Sequence, residues 1–499
     1  MKVLAFCLLS VWEDIMLKKH LPLSYLFLTL TLSFAVVLSG CGLIQITINT
    51  PAPSTGVATI TNPPTNIAET LPSTETQTIA PAPAQLNPNG PWLIYPTSAG
   101  IEAANADGSG SFLVAPTSIK DLVASEPDIP SGISPNGRLL AHRKSNASGN
   151  GWDLEIIHFP DLTSEIITPL ISTENLAKMQ MDSGVQMLLT SAVLYNSPIQ
   201  WSPDGRYLAF VAALDGPSSD LYVYDAISKK VNHLTSGELE VALPVWTPDG
   251  SEIIYQVVGT FGTGAGWSAN GVRAVHPDGS GDHLIYRNPN GTGPETFLGI
   301  TKDGMSLVDH FDPRGGGLYL LNINTGELHL LIANYLSAAM DPVKGDYVFL
   351  DGEGKLYFSS NPNPEYKQVN DLLYTNGKVY WDMQYVYFVI LGEGIAGIDP
   401  FGNYVDFRGV PYLAYDSNSI CTVTYGIECD TPAGMFTIPD AYGAIVYWAP
   451  DTSGFFYTIN NKLDYVSIHL QKAVEIDSGL LPPNPPDYRM VTFNAIWMK

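Results

Sequence analysis

The sequence IQWSPDGRYLAFVA, residues 199–212, is the clearest indication of the fold. An apolar segment ends in Trp201, the turn Ser-Pro-Asp-Gly follows, and a run of aromatic and aliphatic residues then predicts a β-strand. Proline fixes φ at the start of such a turn, Asp204 caps it, and Gly205 takes the left-handed backbone position. The stretch therefore predicts two antiparallel strands joined by a tight turn.

The same sequence motif, here called the repeat phrase, recurs along the chain in copies that start 40 to 68 residues apart. A second clear copy, PVWTPDGSEIIYQV at 244–257, supplies the equivalent residues Trp246, Asp249 and Gly250. Other clear copies start at Leu86, Ile133 and Trp448, and weaker ones at Ile300, Met340 and Trp381. Each copy is followed by a strand, a polar turn and another strand, as in DLYVYDAISKKVNHLT at 220–235. Each unit therefore predicts four short strands.

Four short strands cannot bury both of their faces, so such units must pack against one another around an axis. Units of this size match the blades of a β-propeller, with the tryptophan filling the wedge between neighbouring sheets. The eight copies predict an all-β propeller of eight four-stranded blades over residues 87–499. The degenerate copies near Ile300, Met340 and Trp381 leave seven blades as the alternative.

The Trp-Ser-Pro-Asp-Gly core at Trp201 and its counterpart at Trp246 resemble the TolB-type, WD-like propeller repeat. The resemblance covers residues 86–499 and is specific in four or five copies. It implies a closed propeller with ligand sites on one rim or along the axis.

The final NAIW, residues 494–497, begins another copy with Trp497 and then stops. The turn and strand that would follow it are present in NPNGPWLIY, residues 87–95. We therefore expect the C-terminal strand to join the N-terminal blade and close the ring, which removes exposed sheet edges.

The N-terminal segment has the layout of a secretory signal. Lys18 and Lys19 precede an apolar run that ends in Leu-Ser-Gly before Cys41, which resembles a bacterial lipobox. We interpret residues 1–40 as a lipoprotein signal peptide, with Met16 as an alternative start and Cys41 as the lipidated residue. An uncleaved membrane anchor is the alternative. Residues 41–86 are rich in Pro, Thr and Ser and predict a disordered tether.

Composition narrows the function classes. The chain of 499 residues has a net charge of −25, with 24 basic and 49 acidic residues, which argues against nucleic acid and against anionic lipid recognised by charge alone.

No Gly-x-Ser-x-Gly elbow, His-Glu-x-x-His motif or zinc-spaced Cys/His cluster occurs, so we predict no cofactor and no metal. Cys421 and Cys429 lie eight positions apart in an exported protein, which favours a disulfide over free thiols.

Loop lengths predict which face binds. The long connections are second-to-third strand loops (145–152, 259–270, 310–317) or sheet-to-sheet loops (116–131, 169–198, 408–444, 478–493), and both classes emerge on one face. Within 169–198, Ser172 is a candidate helix cap, and Met179, Met181, Met187 and Leu188 either form a contact surface or pack over a blade. The candidate ligand residues on these loops are Trp152, Phe261, Trp267, Arg314, Tyr412, Tyr415 and Tyr425. For each aromatic residue, ordinary packing that anchors its loop is the alternative.

The leading hypothesis is a non-catalytic, lipid-anchored monomer outside the cytoplasm that binds a protein, peptide or glycan through this face. One alternative is a propeller enzyme with an axial carboxylate or metal site. Another is an accessory subunit of a separate enzyme or transporter.

Overall fold

A computed structural model describes the main part of the chain. The described residues are 85–116, 131–195, 197–260, 267–287, 295–310, 316–360, 362–374, 378–381, 387–390, 395–398, 402, 404–407, 410–416, 418–480 and 495–498. They are nearly all β, and their strands form nine antiparallel sheets, here named S1 to S9 in chain order. Eight of these sheets have four strands, which is consistent with an eight-blade propeller, and S2 has three strands.

The strands of the first five sheets have the following bounds. S1 contains β1 (Trp92–Thr97), β2 (Gly100–Asn105), β3 (Ser111–Pro116) and β35 (Ile496–Met498). S2 contains β4 (Leu139–Ser145), β5 (Trp152–His158) and β6 (Ser164–Pro169). S3 contains β7 (Gln200–Trp201), β8 (Tyr207–Ala212), β9 (Asp220–Asp225) and β10 (Lys230–His233). S4 contains β11 (Glu240–Trp246), β12 (Ile253–Thr260), β13 (Trp267–Val275) and β14 (His283–Tyr286). S5 contains β15 (Glu295–Ile300), β16 (Met305–His310), β17 (Gly317–Asn322) and β18 (Glu327–Ile332).

The other four sheets follow in the same order. S6 contains β19 (Tyr335–Met340), β20 (Tyr347–Asp351), β21 (Lys355–Ser359) and β22 (Lys367–Leu373). S7 contains β23 (Lys378–Trp381), β24 (Tyr387–Ile390), β25 (Ile395–Ile398) and β26 (Tyr404–Phe407). S8 contains β27 (Val410–Leu413), β28 (Ile420–Val423), β29 (Ile427–Thr431) and β30 (Gly434–Ile438). S9 contains β31 (Ile445–Trp448), β32 (Gly454–Ile459), β33 (Lys462–Ser467) and β34 (Ala473–Asp477).

The seven four-stranded sheets S3 to S9 are antiparallel meanders, and S1 is a three-stranded meander joined by β35, so the connections of each sheet divide between two ends. The first-to-second and third-to-fourth turns lie at one end, which we call the turn face. The second-to-third connections and the connections between sheets lie at the other end, which we call the loop face. This succession of four-stranded meanders is the architecture of β-propeller blades.

A repeated tryptophan contact joins neighbouring sheets. The indole N–H of Trp246 in S4 donates to the backbone oxygen of Gln200 in S3 at 3.0 Å. Trp448 of S9 donates in the same way to the backbone oxygen of Tyr412 in S8 at 2.9 Å. These indoles are buried, so each tryptophan both fills space between two sheets and satisfies its polar group there.

The Ser-Pro-Asp-Gly turns stack from one copy to the next. In S3, Asp204 accepts hydrogen bonds from the Ser202 hydroxyl at 2.6 Å and from the N–H of Arg206 at 3.0 Å. Gly205 has φ +72°, and a Cβ built there would lie 3.3 Å from Cδ of Pro135 in the preceding copy. The left-handed backbone therefore favours glycine, and a side chain at this position would also crowd Pro135.

The same arrangement recurs in S4. Asp249 accepts from the hydroxyl groups of Thr247 and Ser251 at 2.7 and 2.8 Å. Gly250 has φ +71°, and a Cβ built there would lie 3.4 Å from Cδ of Pro203. The repeat phrase thus encodes contacts between copies as well as the turn within each copy.

The C-terminal strand lies in the N-terminal sheet. β35 pairs antiparallel with β1, with Trp92 opposite Met498 and Leu93 opposite Trp497. Met498 is fully buried, and the Trp497 ring packs against Phe456 of S9 with centroids 5.8 Å apart. The strand pairing therefore joins residues from the two ends of the propeller region.

One predicted loop is a sheet. Residues 408–444 were expected to form a long loop, but they contain all four strands of S8. Its first turn reads Tyr-Asp-Ser-Asn-Ser (415–419) and lacks the Pro and Gly of the repeat phrase, and its strands have only four or five residues. The predicted disulfide is confirmed inside this sheet: Cys421 and Cys429 are opposite one another on β28 and β29, with Cα atoms 4.0 Å apart.

S2 has one strand fewer than predicted. Within the described residues its first strand is reduced to a single bridge between Ile133 and Leu140. The S2–S3 connection instead carries helices α1 (Thr173–Met181) and α2 (Ser183–Thr190) and a π-helical turn (Ser191–Tyr195). The Ser172 side chain caps α1 by accepting from the N–H of Asn175 at 3.3 Å, as predicted. Among the described residues, none of the helices has the length and hydrophobicity that a membrane span requires.

Candidate ligand-binding face

The loop face of S5 and S6 contains a cleft of about 430 Å³. It forms where β16 ends, where β19 begins, and along the connection between the two sheets. Its lining includes Leu298, Asp309, His310, Asn334, Tyr335 and Ser337. The cleft therefore combines apolar walls with groups that donate and accept hydrogen bonds, as ligand sites usually do.

A buried ionisable pair lies at this cleft. Glu295 begins β15 and is opposite His310, the last residue of β16. The His310 Nδ1 lies 3.1 Å from Oε1 of Glu295, and both side chains are almost fully buried. Gln256 of S4 holds the Glu295 backbone, because its Oε1 accepts from the Glu295 N–H at 2.8 Å and its Nε2 donates to the Glu295 oxygen. These bonds fix the orientation of a histidine that faces the cleft.

The first strands of three successive sheets begin on the loop face with polar residues. These are Glu240 in S4, Glu295 in S5 and Tyr335 in S6. Burial raises the pKa of Glu240, while hydrogen bonds from Ser219, including its N–H at 2.6 Å, oppose the rise. Burial, and then the hydrogen bond to Asp309, raises the pKa of the Tyr335 phenol above its usual range. Tyr335 therefore acts at neutral pH as a protonated hydrogen-bond donor.

Two tyrosines form an exposed pair elsewhere on this face. Tyr425 lies in the turn between β28 and β29, and Tyr442 lies in the connection from S8 to S9. Their rings stack with centroids 6.2 Å apart and an interplanar angle of 26°. Tyr425 is 86% exposed and Tyr442 is 76% exposed, which makes them the most exposed aromatic side chains among the described residues. The two rings thus present a rigid, amphipathic surface to solvent.

The structure separates the other predicted ligand residues. Trp152 begins β5 on the loop face, but it is half-buried and packs against the core shared by S2, S3 and the helical connection. Tyr412 is a strand residue of β27, is half-buried, and its hydroxyl donates to the Ala444 oxygen at 3.5 Å. For Trp152 and Tyr412, the alternative of ordinary packing describes the contacts.

Tyr415 lies at the opposite end of S8 from the place predicted for it. Because 410–413 and 420–423 are strands, the intervening turn belongs to the turn face. There Tyr415 borders a hollow of about 150 Å³ together with Trp448 and Trp497. Its placement on the loop face was wrong because S8 was read as a loop.

Several of the remaining predicted features lie wholly or partly outside the described residues. Phe261 and Arg314 lie outside the described residues, and of Trp267 the structure describes only the backbone at the start of β13. Cys41, the signal peptide and nearly all of the tether also lie outside the described residues. Among the helix residues, Met179 is buried, whereas Met181 and Met187 are exposed.

Sequence reasoning missed the stacked partner Tyr442 and the Glu295–His310 pair. Tyr442 follows an Asp-Ala pair in a short connection and has no local motif. Glu295 and His310 lie 15 residues apart, and only the register of β15 against β16 brings them together. Within the described part of the chain, no group of three or more His, Cys, Asp or Glu side chains is arranged to hold a metal ion.

Comparison with known proteins gives limited matches. No protein-family profile matches the chain. A curated Bacillus subtilis (strain 168) protein, named uncharacterized peptidase YuxL, is 31% identical over 85 residues, which is 17% of this chain. The matched segment spans 13% of the length of that relative.

Solved structures are similar in part. TolB from Acinetobacter baumannii matches with 16% identity and a TM-score of 0.33, over 55% of this chain and 62% of TolB. A eukaryotic initiation factor matches with 12% identity and a TM-score of 0.49, over 82% of this chain and 98% of that chain. At these values the likeness carries no argument about function, and the fold assignment rests on the strand topology itself.

Proposed function

We propose that this protein is a lipid-anchored propeller outside the cytoplasm that binds a protein, peptide or glycan through its loop face. The proposal includes a ring of blades closed by the β35–β1 pairing, and a monomer that binds no nucleic acid. The observation that carries it is the Tyr425–Tyr442 pair, two stacked rings that remain almost fully exposed. Exposed aromatic rings are costly to leave in water and are common anchors of binding surfaces.

The scaffold supports such a role because the rings stand on short connections at the loop-face end of S8, and a disulfide cross-links two strands of that sheet. Tyr425 lies between Cys421 and Cys429, which are joined by the disulfide. A side chain held in place before binding loses less conformational entropy when a partner arrives. The cleft at Asp309, His310 and Tyr335 offers a second set of contacts on the same face.

Co-purification of partners from native membranes tests the binding function. A partner recovered with the full-length protein should be lost in the double variant Tyr425→Ala/Tyr442→Ala. Met435→Ala is the matched control, because Met435 is also highly exposed but is the second residue of β30, near the turn face. Equal recovery of the partner by wild type and the double variant would reject the tyrosine pair as the binding site. Recovery of an enzyme or transporter as the partner would identify the protein as an accessory subunit.

The anchor has a separate test. The lipobox-like segment before Cys41 supports lipidation, and the Pro- and Thr-rich segment after it supports a tether. Metabolic labelling with a fatty acid should mark the wild-type protein and leave Cys41→Ser unlabelled and extractable without detergent. A Cys41→Ser variant that still fractionates with membranes would support the uncleaved anchor instead.

A catalytic role is the second candidate, and the Glu295–His310 pair is the observation that favours it. A histidine oriented by a buried carboxylate at a cleft is a common arrangement for a general base. Peptide and oligosaccharide substrates should then be turned over by the wild type and not by His310→Gln, with the melting temperature unchanged. Absence of turnover by the wild type, together with tyrosine-dependent binding, would leave binding as the function.

A further inference from the structure

We propose that the Tyr425–Tyr442 pair binds the lysine or arginine side chains of a basic peptide. This inference rests on the proposed binding function of the loop face and names the chemistry of its ligand. The site consists of the two exposed rings, and the exposed carboxylates near them in sequence are Glu428, which follows Tyr425, and Asp440, which precedes Tyr442.

The ring faces themselves favour a cation. The π-electrons of a tyrosine give each ring a negative face that attracts ammonium and guanidinium groups. The two rings lie with centroids 6.2 Å apart and are tilted by only 26°, so one side chain can contact both rings or lie along their edge. The aliphatic stem of lysine or arginine covers apolar ring surface at the same time.

Elsewhere in the described residues, the protein already covers aromatic faces with its own cations. Arg206 lies 4.6 Å from the ring centroid of Tyr207, and Arg138 lies 5.4 Å from that of Trp92. Lys367 lies in the same way 5.7 Å from the ring centroid of Phe358. These internal pairs show that tyrosine, tryptophan and phenylalanine rings in this chain accept cations when one is in reach.

The segment around the tyrosine pair supplies no such cation. Residues 409–461 contain no Lys, Arg or His. They do contain acidic residues, namely Asp416, Glu428, Asp430, Asp440 and Asp451. Glu428 and Asp440 are exposed, three and two positions from Tyr425 and Tyr442 respectively. A basic ligand therefore gains electrostatic attraction along this segment and meets no repelling charge from it.

Backbone hydrogen bonds and the disulfide hold the segments that carry Tyr425 and Tyr442 in place. The Thr424 N–H donates to the Gly426 oxygen at 2.8 Å across the turn that carries Tyr425. The disulfide joins the two strands of that turn at Cys421 and Cys429, a directly opposed pair. On the other side, the Ala444 N–H donates to the Ala441 oxygen at 3.2 Å around Tyr442.

The charge distribution favours a basic peptide over a glycan. A neutral sugar also stacks on tyrosine rings, but it gains nothing from the surrounding carboxylates. An acidic glycan or acidic peptide is repelled by them and by the net charge of −25. A peptide carrying spaced lysine or arginine residues uses both the rings and the charge.

Direct binding measurements with defined probes test this inference. The probes are hexapeptides in which serine alternates with lysine, with arginine or with glutamate, and a neutral hexasaccharide of N-acetylglucosamine. Affinity is measured by calorimetry on the full-length protein in neutral detergent at about 50 mM salt, where exposed charges are weakly screened. The lysine and arginine peptides should bind, and the glutamate peptide should not.

Matched variants identify the rings as the site. Tyr425→Leu/Tyr442→Leu removes both π-faces and should weaken the basic peptides by about fivefold for each ring lost. Tyr425→Phe/Tyr442→Phe keeps the faces and should bind as wild type within about twofold. Tyr415→Leu, on the turn face, should have no effect, and Asp440→Asn should weaken binding most at low salt. Near-UV circular dichroism confirms that each variant retains its fold.

Three results would overturn the inference. Basic peptides that bind the double leucine variant as well as wild type would exclude the rings, and failure of the basic peptides to bind wild type would exclude the ligand class. Tyrosine-dependent binding of the sugar without binding of the basic peptides would also refute it, but would leave the proposed loop-face function standing. If neither probe nor native partner recovery depends on the tyrosines, both proposals fail together.

Discussion

The indole N–H of Trp201 donates a 2.7 Å hydrogen bond to the backbone oxygen of Gly132, which lies 69 residues earlier in the chain. This bond connects S3 to the copy that begins S2, and both groups are buried. Equivalent bonds at Trp246 and Trp448 show that the repeat tryptophan joins neighbouring sheets at more than one place in the fold.

Replacing Trp201 by phenylalanine should lower the free energy of unfolding by about 1–3 kcal/mol, because the Gly132 oxygen loses its donor inside the protein. Urea denaturation followed by circular dichroism measures the change. Trp497→Phe is the matched control, since the indole N–H of Trp497 has no hydrogen-bond partner among the described residues. Phenylalanine should cost less there, and equal costs at both positions would show that ring volume alone accounts for the effect.

Gly205→Ala should be more destabilising than Gly216→Ala. Both glycines have left-handed backbones, with φ of +72° and +82°, and an alanine in that conformation costs roughly 1–2 kcal/mol. A Cβ at Gly205 also meets Pro135 at 3.3 Å, whereas a Cβ at Gly216 meets nothing within 4 Å. The difference in melting temperature between the two variants therefore measures the cost of crowding Pro135. Equal melting temperatures would show that the stacked turns move apart without cost.

The ionised carboxylate of Glu155 should contribute to the free energy of unfolding, and this contribution should be lost at acidic pH. Burial alone would raise the pKa of Glu155, but hydrogen bonds from His142 and Lys144 outweigh it and hold the pKa at about 2. Because the folded value lies below the unfolded value, the stabilisation is present above about pH 4.5 and is lost as the pH falls towards 2. Its size is about 3 kcal/mol.

The free energy of unfolding of wild type and Glu155→Gln, measured from pH 7 to pH 2, checks this sign. The difference between the two proteins should be largest at neutral pH and should vanish near pH 2. Glu174→Gln is the control, because the ion pair of Glu174 with Lys178 is exposed to solvent and should give a far smaller change of the same sign. A Glu155→Gln difference that grows in acid would contradict the assignment.

Deleting residues 496–499 should lower the melting temperature far more than loss of a short terminal segment usually does. The deletion removes β35, exposes one edge of β1 and empties the buried site of Met498. Burial of a methionine side chain alone is worth roughly 2–5 kcal/mol. Deleting only Lys499 is the control. Equal melting of the two truncated proteins would show that β35 contributes nothing to stability.

The sequence predicted best those features that a local pattern determines. The turns at Gly205 and Gly250 require proline, an acidic cap and glycine at fixed spacing, so the repeat could be recognised from residue types alone. The Cys421–Cys429 disulfide was also predictable, because the two residues are near in sequence and few other cysteines compete. The Ser172 cap is a third local signal, and it begins α1 as expected.

Other features depend on register and could not be read from local patterns. S8 was missed because its turn at Tyr415 lacks the proline and glycine that mark the other copies, although the strands pair in the same way. The pairing of Glu295 with His310, and of Tyr425 with Tyr442, arises only when strands and connections distant in sequence meet. The assignment of Tyr415 to the wrong face followed from the missed sheet.

The position of β1 has a mechanical consequence. β1 is the first strand after residue 85, and it has hydrogen-bonded partners on both sides, β2 and β35. A pulling force that enters from the N-terminal side therefore first meets a strand held by two ladders of hydrogen bonds, one to β2 and one to β35. An edge strand at this position would carry the same force on a single ladder.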